Sequence, residues 1–179
     1  MKKVSVVSLL LCIILCFGSF AGCAKKNSDV PDGMKLISSD DADYYMYVPD
    51  VEGMWRVDRS DKYTSAYYSS GDQTSISTTA FNITKSGVTV ESWWEEFRPE
   101  IEKTFSDVGE IIEADARIDG VNGKEYKFSG KIGDDEYKYI ITAVVKDSYV
   151  YFITYTSIPK YYENHLEDLE KVIDTFTFK

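Results

Sequence analysis

Few side chains in this chain of 179 residues are suited to covalent chemistry. It has one histidine, His165, and three cysteines, Cys12, Cys16 and Cys23, of which the first two lie inside an apolar N-terminal run. Nucleophilic catalysis needs a nucleophile held beside a base, and the chain has no Gly-x-Ser-x-Gly motif. A histidine-rich zinc site needs more than one imidazole. We therefore predict neither a catalytic nucleophile nor a zinc site. We expect His165 to be an ordinary residue of the last helix, on the surface or partly buried.

Carboxylates are the second group of candidates. Acidic clusters occur at Asp40-Asp41-Ala42-Asp43, at Asp58 with Asp61, and at Asp134-Asp135-Glu136. Each offers oxygen ligands that suit calcium, but none has the spacing of a calcium-binding loop. With 30 acidic residues in the chain, such clusters arise by chance in loops. We predict no metal, and we predict no cofactor because no glycine-rich phosphate loop follows a strand.

Cys23 differs from these candidates because the residues before it have the order of a targeting sequence. It closes the run Phe20-Ala21-Gly22-Cys23, which follows a basic start and an apolar stretch over 4–17. That order is typical of a secretory signal, and the stretch is shorter than the ~20 residues of a spanning helix. The run resembles the lipobox of bacterial lipoproteins. The resemblance implies cleavage before Cys23 and lipid on its sulfur; an ordinary secretion signal and an uncleaved signal anchor are the alternatives.

This interpretation divides the chain into three parts. Residues 1–22 are a signal peptide, residues 23–33 are a lipidated flexible tether, and residues 34–179 form a single domain, whose size suits one hydrophobic core. Without the signal only one cysteine remains, so the domain has no internal disulfide. The formal net charge of −10 argues against nucleic acid as a partner.

Alternating polarity predicts several strands. In residues 112–118, isoleucine and alanine alternate with charged residues, which predicts a strand with one buried face and one wet face. Residues 136–146 and 149–158 are apolar on both faces, and strands of this kind are covered on both faces. Further strands are predicted at 44–48, 63–70, 74–83 and 124–130.

Helical spacing of apolar residues predicts two helices. The first runs from about 89 or 92 to 108, where Ser92 and Glu95 fit a capping box and Pro99 predicts a kink or a division into two helices. The second follows Pro159. Because the connections between strands are short, we expect an α+β fold, an antiparallel sheet flanked by helices on both faces (an α/β/α sandwich).

The order of these elements resembles the PsbP-like and DcrB-like fold. The resemblance rests on a strand that leads to a proline and then a tryptophan, a middle helix, a long hairpin, and a last strand and helix. The residues that carry it are Tyr45-Met46-Tyr47-Val48-Pro49, Trp55, Tyr151-Phe152-Ile153-Thr154-Tyr155 and Asp174-Thr175-Phe176. The resemblance implies an accessory, non-enzymatic protein and assigns no catalytic residue to these positions.

Neighbouring aromatic residues are the remaining candidates for binding. Adjacent residues of a helix do not both face a narrow core, and adjacent residues of a strand point to opposite faces, so Trp93-Trp94 and Tyr67-Tyr68 are candidates for a contact surface. Exposed aromatic rings stack on sugars or anchor partner proteins. The alternative is that these rings are buried at the edge of the core, with the tyrosine hydroxyl groups in water.

Together these patterns predict a lipoprotein of the cell membrane, anchored at the extracytoplasmic face through lipid on Cys23. We expect a non-catalytic binding or accessory module whose partner is an envelope protein. One alternative is a lipoprotein that captures a small ligand for a transporter, although the chain shows no division into two lobes. Another is a hydrolase that depends on paired carboxylates, whose positions no sequence spacing identifies.

Overall fold

Strands make up most of the regular structure. The computed structural model describes residues 30–60, 63–68 and 71–179. The strands are β1 (Met34–Leu36), β2 (Tyr44–Tyr45), β3 (Tyr47–Pro49), β4 (Trp55–Ser60), β5 (Tyr63–Tyr68), β6 (Ser75–Asn82), β7 (Ile112–Ile118), β8 (Val121–Ile132), β9 (Asp135–Lys146), β10 (Tyr149–Ser157) and β11 (Thr177–Phe178). The helices are α1 (Val90–Thr104), a short 3₁₀ helix (Tyr162–His165) and α2 (Leu166–Thr175).

Seven strands form the main sheet, in the order β4-β5-β6-β10-β9-β8-β7. Every neighbouring pair in it is antiparallel, as predicted. Short turns join β7 to β8, β8 to β9 and β9 to β10, so these four strands form a meander. Two small ladders, β1 with β3 and β2 with β11, lie outside this sheet.

The central strands β9 and β10 bury apolar side chains on both faces, as their sequence predicts. On one face, Ile140 and Tyr155 belong to a cluster that includes residues of α2. On the other face, Ile141 and Phe152 belong to a cluster that includes residues of α1. The α1 members are Val90, Trp94, Phe97 and Ile101, and the α2 members are Leu169 and Val172.

The boundaries of both helices differ from the sequence prediction. The capping box of α1 is made by Thr89 and Ser92, one turn before the expected Ser92–Glu95 pair. The helix continues through Pro99, which lies exposed within it. At the C-terminus, the 3₁₀ helix precedes α2, so the α-helix begins at Leu166 and not directly after Pro159.

Three strands also depart from expectation. Strand β4 was not predicted, because its sequence carries charges on both faces. Strand β6 is buried along 75–79, although its serine and threonine content is less typical of a core strand; it lies between β5 and β10 in the sheet. Strand β7 is the outermost strand, and Ile112 is 58% exposed although its alternation predicted burial. Of the four residues on the expected buried face of β7, only Ile118 is buried.

Replacing Gly123 with alanine is expected to lower the free energy of unfolding by about 1–3 kcal/mol, the usual cost of overpacking. A methyl group at this position in β8 would collide with the backbone carbonyl of Ala143 on β9 and would crowd Val144. Urea denaturation of both proteins measures the difference. The control is Asn122→Ala, an exposed neighbour whose substitution should leave the unfolding midpoint unchanged; equal losses would contradict the packing argument.

Candidate functional site

His165 lies inside a buried polar cluster, which differs from the surface or partly buried position expected from the sequence. His165 and Asp72 are only 7% and 5% exposed. Asp72 Oδ2 lies 2.7 Å from His165 Nε2, and Asp72 Oδ1 accepts a hydrogen bond of 3.0 Å from the Thr74 backbone N–H. The contact between Asp72 and His165 joins the loop before β6 to the 3₁₀ helix that precedes α2.

A second carboxylate completes the surroundings of the imidazole. Asp168 Oδ2 lies 3.7 Å from His165 Nδ1 and accepts a hydrogen bond of 3.1 Å from Trp55 Nε1. The Tyr68 ring packs on the imidazole with 4.0 Å between the ring centroids. The cluster therefore connects β4, β5, the loop before β6 and α2.

This geometry suits structural support better than acid–base catalysis. A histidine that acts as a general base directs one ring nitrogen to a nucleophile while the other is oriented by a carboxylate. Here both nitrogens of His165 face carboxylates, and the imidazole is buried. Breaking the Asp72–His165 contact would leave a buried polar group without its partner, which is costly.

A cleft at the N-terminus of α1 is the second candidate site. Its volume is about 570 Å³. The residues that line it are Thr89, Val90, Glu91, Asp115, Ala116, Asn122, Gly123, Lys124 and Val145. The cleft is therefore bounded by the start of α1 and by the ends of strands β7, β8 and β9.

Lys124 is the central charge of this cleft. Its Nζ lies 2.9 Å from Asp115 Oδ1, 3.0 Å from Glu113 Oε1 and 3.9 Å from Glu91 Oε1. The hydrogen bonds that the Lys124 ammonium donates to Asp115 and then to Glu113 raise its pKa. The amine thus stays protonated at neutral pH, a form that binds anions and cannot act as a nucleophile.

Tyr126 lies beneath the same charged group. Its hydroxyl is buried and has no hydrogen-bond partner in the described part of the chain. Burial, and then the charges of Glu113 and Glu91, raise the pKa of Tyr126 to about 12. The Trp94 ring stacks on Tyr126 with 3.7 Å between centroids and 4° between planes. Tyr126 is therefore a neutral core residue at neutral pH.

The aromatic residues expected to form one contact surface are not brought together. Trp94 is 6% exposed and belongs to the core. Trp93 is half-buried, stacked on Phe97 on the α1 face of the sheet. Tyr68 is half-buried on the opposite face, against the α2 cluster, and Tyr67 is half-buried in the same strand. Each of the four rings is at least half-buried, which agrees with the alternative of rings buried at the edge of the core, and a role of these residues in contact with a partner stays a prediction.

Cys23 and Asp61 lie outside the described residues. Within 30–60, 63–68 and 71–179, no group of three or more histidine, cysteine or acidic residues is placed to hold a metal ion. None of the helices in these ranges is both long and apolar enough to span a membrane.

Sequence spacing could not have identified the Asp72–His165 cluster, and it gave only a partial signal for the charged group around Lys124. Asp72 and His165 are separated by 93 positions. Lys124 meets Glu113 and Asp115 because β7 and β8 are neighbours in register, with Asp115 directly opposite Lys124. The alternation of residues 112–118 was the one available signal, since it predicted that Glu113 and Asp115 share the face turned away from Ile118.

Comparison with known proteins shows a relation at the level of the fold. No protein-family model and no curated protein sequence matches the chain. The solution structure of the cyanobacterial PsbP (CyanoP) of Synechocystis is similar with a TM-score of 0.61 and 10% identity, over 91% of this chain and 99% of that one. LpqN of Mycobacterium tuberculosis, described as involved in cell envelope biogenesis, is similar with a TM-score of 0.59 and 12% identity, over 82% and 90% of the two chains.

A protein of unknown function from Pseudomonas aeruginosa is also similar, with a TM-score of 0.50 and 12% identity, over 79% of this chain and 94% of that one. At such identities the likeness concerns the fold alone. The expected PsbP-like fold is confirmed, and none of these three structures carries the name of an enzyme.

Replacing Asp72 with alanine should lower the free energy of unfolding by about 2–4 kcal/mol, because it removes the buried partner of His165 and the acceptor for the Thr74 N–H. Asp72→Asn keeps that acceptor and should lose less. Urea denaturation measures both. Lys171→Ala, which removes an exposed ion pair with Glu167, is the control and should change little. A loss for Asp72→Ala no larger than that of the control would show that the cluster does not support the fold.

Proposed function

We propose that this protein is a lipid-anchored, extracytoplasmic accessory domain of the cell envelope that acts by binding another envelope component. Cys23 carries the lipid in this proposal, and residues 34–179 form one α/β/α domain beyond the tether. The motif around Cys23 supports the location, and the PsbP-like fold shared with LpqN is consistent with an envelope role.

The observation that carries the binding function is the state of Lys124. The cation is held by Asp115 and Glu113 in a polar cleft, where it is unsuited to nucleophilic attack, and the carboxylates that hold it are exposed and available for contact. The other candidate for acid–base chemistry, His165, is enclosed between two carboxylates. The domain thus offers a charged contact surface, and its ionisable core groups support the fold.

The charge of the cleft suggests the chemistry of the partner. Three carboxylates, from Glu91, Glu113 and Asp115, surround one ammonium group. A partner segment that presents basic side chains would pair with the excess carboxylate charge. The cleft volume of about 570 Å³ also lies in the range of small-ligand sites, which favours capture of a small ligand as the second candidate.

The anchor is tested by metabolic labelling with a fatty acid, followed by detergent-phase fractionation. The full chain should be labelled and recovered in the detergent phase, and Cys23→Ala should be unlabelled because the acceptor sulfur is gone. Cys16→Ala, which removes a sulfur from the apolar run, is the matched control and should remain labelled. A labelled, mature Cys23→Ala protein in the detergent phase would contradict the anchor.

The contact surface is tested with a photo-crosslinking residue at the position of Glu91, at the rim of the cleft, in intact envelopes. A specific cross-link to an envelope component is expected, and it should be lost in Glu113→Lys because that change removes the excess of carboxylates that attracts a basic partner. The control position is Asp134, an exposed turn residue at the far end of β8. Equal labelling at both positions would contradict the cleft as the contact site. A melting shift with a small metabolite, without any protein cross-link, would favour the small-ligand alternative.

A further inference from the structure

Strand β7 forms an open edge of the main sheet. It pairs with β8 on one side, and no other described strand pairs with it. Its first four residues, 112–115, are all exposed. A terminal strand presents a row of unpaired backbone N–H and C=O groups, which can pair with another strand of suitable register.

The sequence of this strand is complementary to its own reverse. It reads Ile-Glu-Ala-Asp-Ala-Arg-Ile over 112–118. If two copies pair antiparallel about Asp115, Ile112 lies opposite Ile118, Ala114 opposite Ala116, and Glu113 opposite Arg117. A two-fold axis repeats each of these pairs, so the arrangement contains two cross-strand Glu–Arg pairs.

We propose that β7 is the interface of a homodimer, in which the β7 strands of two copies pair antiparallel and join their sheets. The partner is a second copy of this chain because the charge pattern suits that partner: Glu113 and Arg117 exchange places across the axis. Arg117 is exposed and forms no ion pair within the described residues, so its charge is available to the second copy. The inference does not require the proposed envelope location, although Glu113 and Asp115 also belong to the charged group around Lys124.

Two further features of β7 are accounted for by this pairing. Ile112 is 58% exposed in the single chain, and the strand of the second copy would cover part of it, although the Ile118 side chain opposite is only 1% exposed and contributes little to that contact. Asp115 faces its own copy at the axis, a like-charge contact. Each Asp115 carboxylate is bound at 2.9 Å by Lys124, which offsets that repulsion.

The first test measures the mass of the detergent-solubilised full chain by sedimentation equilibrium. The natural chain should be a dimer. Arg117→Glu would replace both cross-strand Glu–Arg pairs with pairs of carboxylates, position 113 of one copy opposite position 117 of the other. Their repulsion should lower the dimer affinity by about tenfold or more. Arg56→Glu is the matched control, because Arg56 is exposed on β4, the other edge strand, and the change in charge is identical; its dimer affinity should stay unchanged.

A natural chain that is monomeric at all concentrations would overturn the proposal, and the charges of β7 would then serve to keep edges apart. A dimer weakened equally by Arg117→Glu and Arg56→Glu would also overturn it, because the interface would not be specific to β7.

The second test determines the register by disulfide cross-linking of the full chain. Asp115→Cys should link to itself, because residues directly opposite have Cβ atoms close to disulfide distance. Glu113→Cys should not link to itself, since the two copies of that position are about 13 Å apart along the strands. Glu113→Cys mixed with Arg117→Cys should form a linked pair.

Cross-linking of the natural chain measures the background that its own three cysteines produce. Equal cross-linking in all combinations, or no cross-link at position 115, would overturn the register. A cross-link from position 115 to a different protein would show that the edge receives another partner and would overturn the homodimer.

Discussion

The double-faced burial of β9 and β10 is the constraint on which the rest of the fold depends. Ile140 and Tyr155 are buried on one face, and Ile141 and Phe152 are buried on the other. Leaving either set in water would forfeit the main favourable contribution to folding, about 25 cal/mol for each Å² of apolar surface. Each face must therefore be covered. Residues of α1 join one cluster and residues of α2 join the other, so both helices are needed for one pair of strands.

The position of the polar cluster follows from that arrangement. Covering the α2 face brings the C-terminal helical segment over β4, β5 and the loop before β6, where polar groups would otherwise be buried alone. Asp72, His165 and Asp168 satisfy one another there, with Trp55 as a further donor. These ionisable groups thus belong to the packing of the domain. A second charged group, around Lys124, lies on the opposite face of the sheet.

The edge strand β7 shows that a local sequence pattern predicts burial only when the position of the strand in the sheet is also known. The alternation of residues 112–118 correctly predicts a strand, and it correctly separates isoleucine and alanine from the charged residues. It does not predict burial of Ile112, because burial depends on what lies beyond the strand, and β7 is outermost. Serine and threonine in β6 show the reverse case, since neighbouring strands bury residues that the pattern would leave in water.

The sequence by itself determined the features that depend on spacing along the chain: the motif ending at Cys23, both helices, the antiparallel meander and the two-faced strands. These are local because hydrophobic periodicity and turn residues act over a few positions. Only the tertiary structure decided the features that depend on which elements become neighbours. Strand order and helix placement bring Asp72 to His165, bury Trp94 on Tyr126 and leave β7 at an edge. No spacing in the chain records those contacts, because they form between residues whose separation is set by packing.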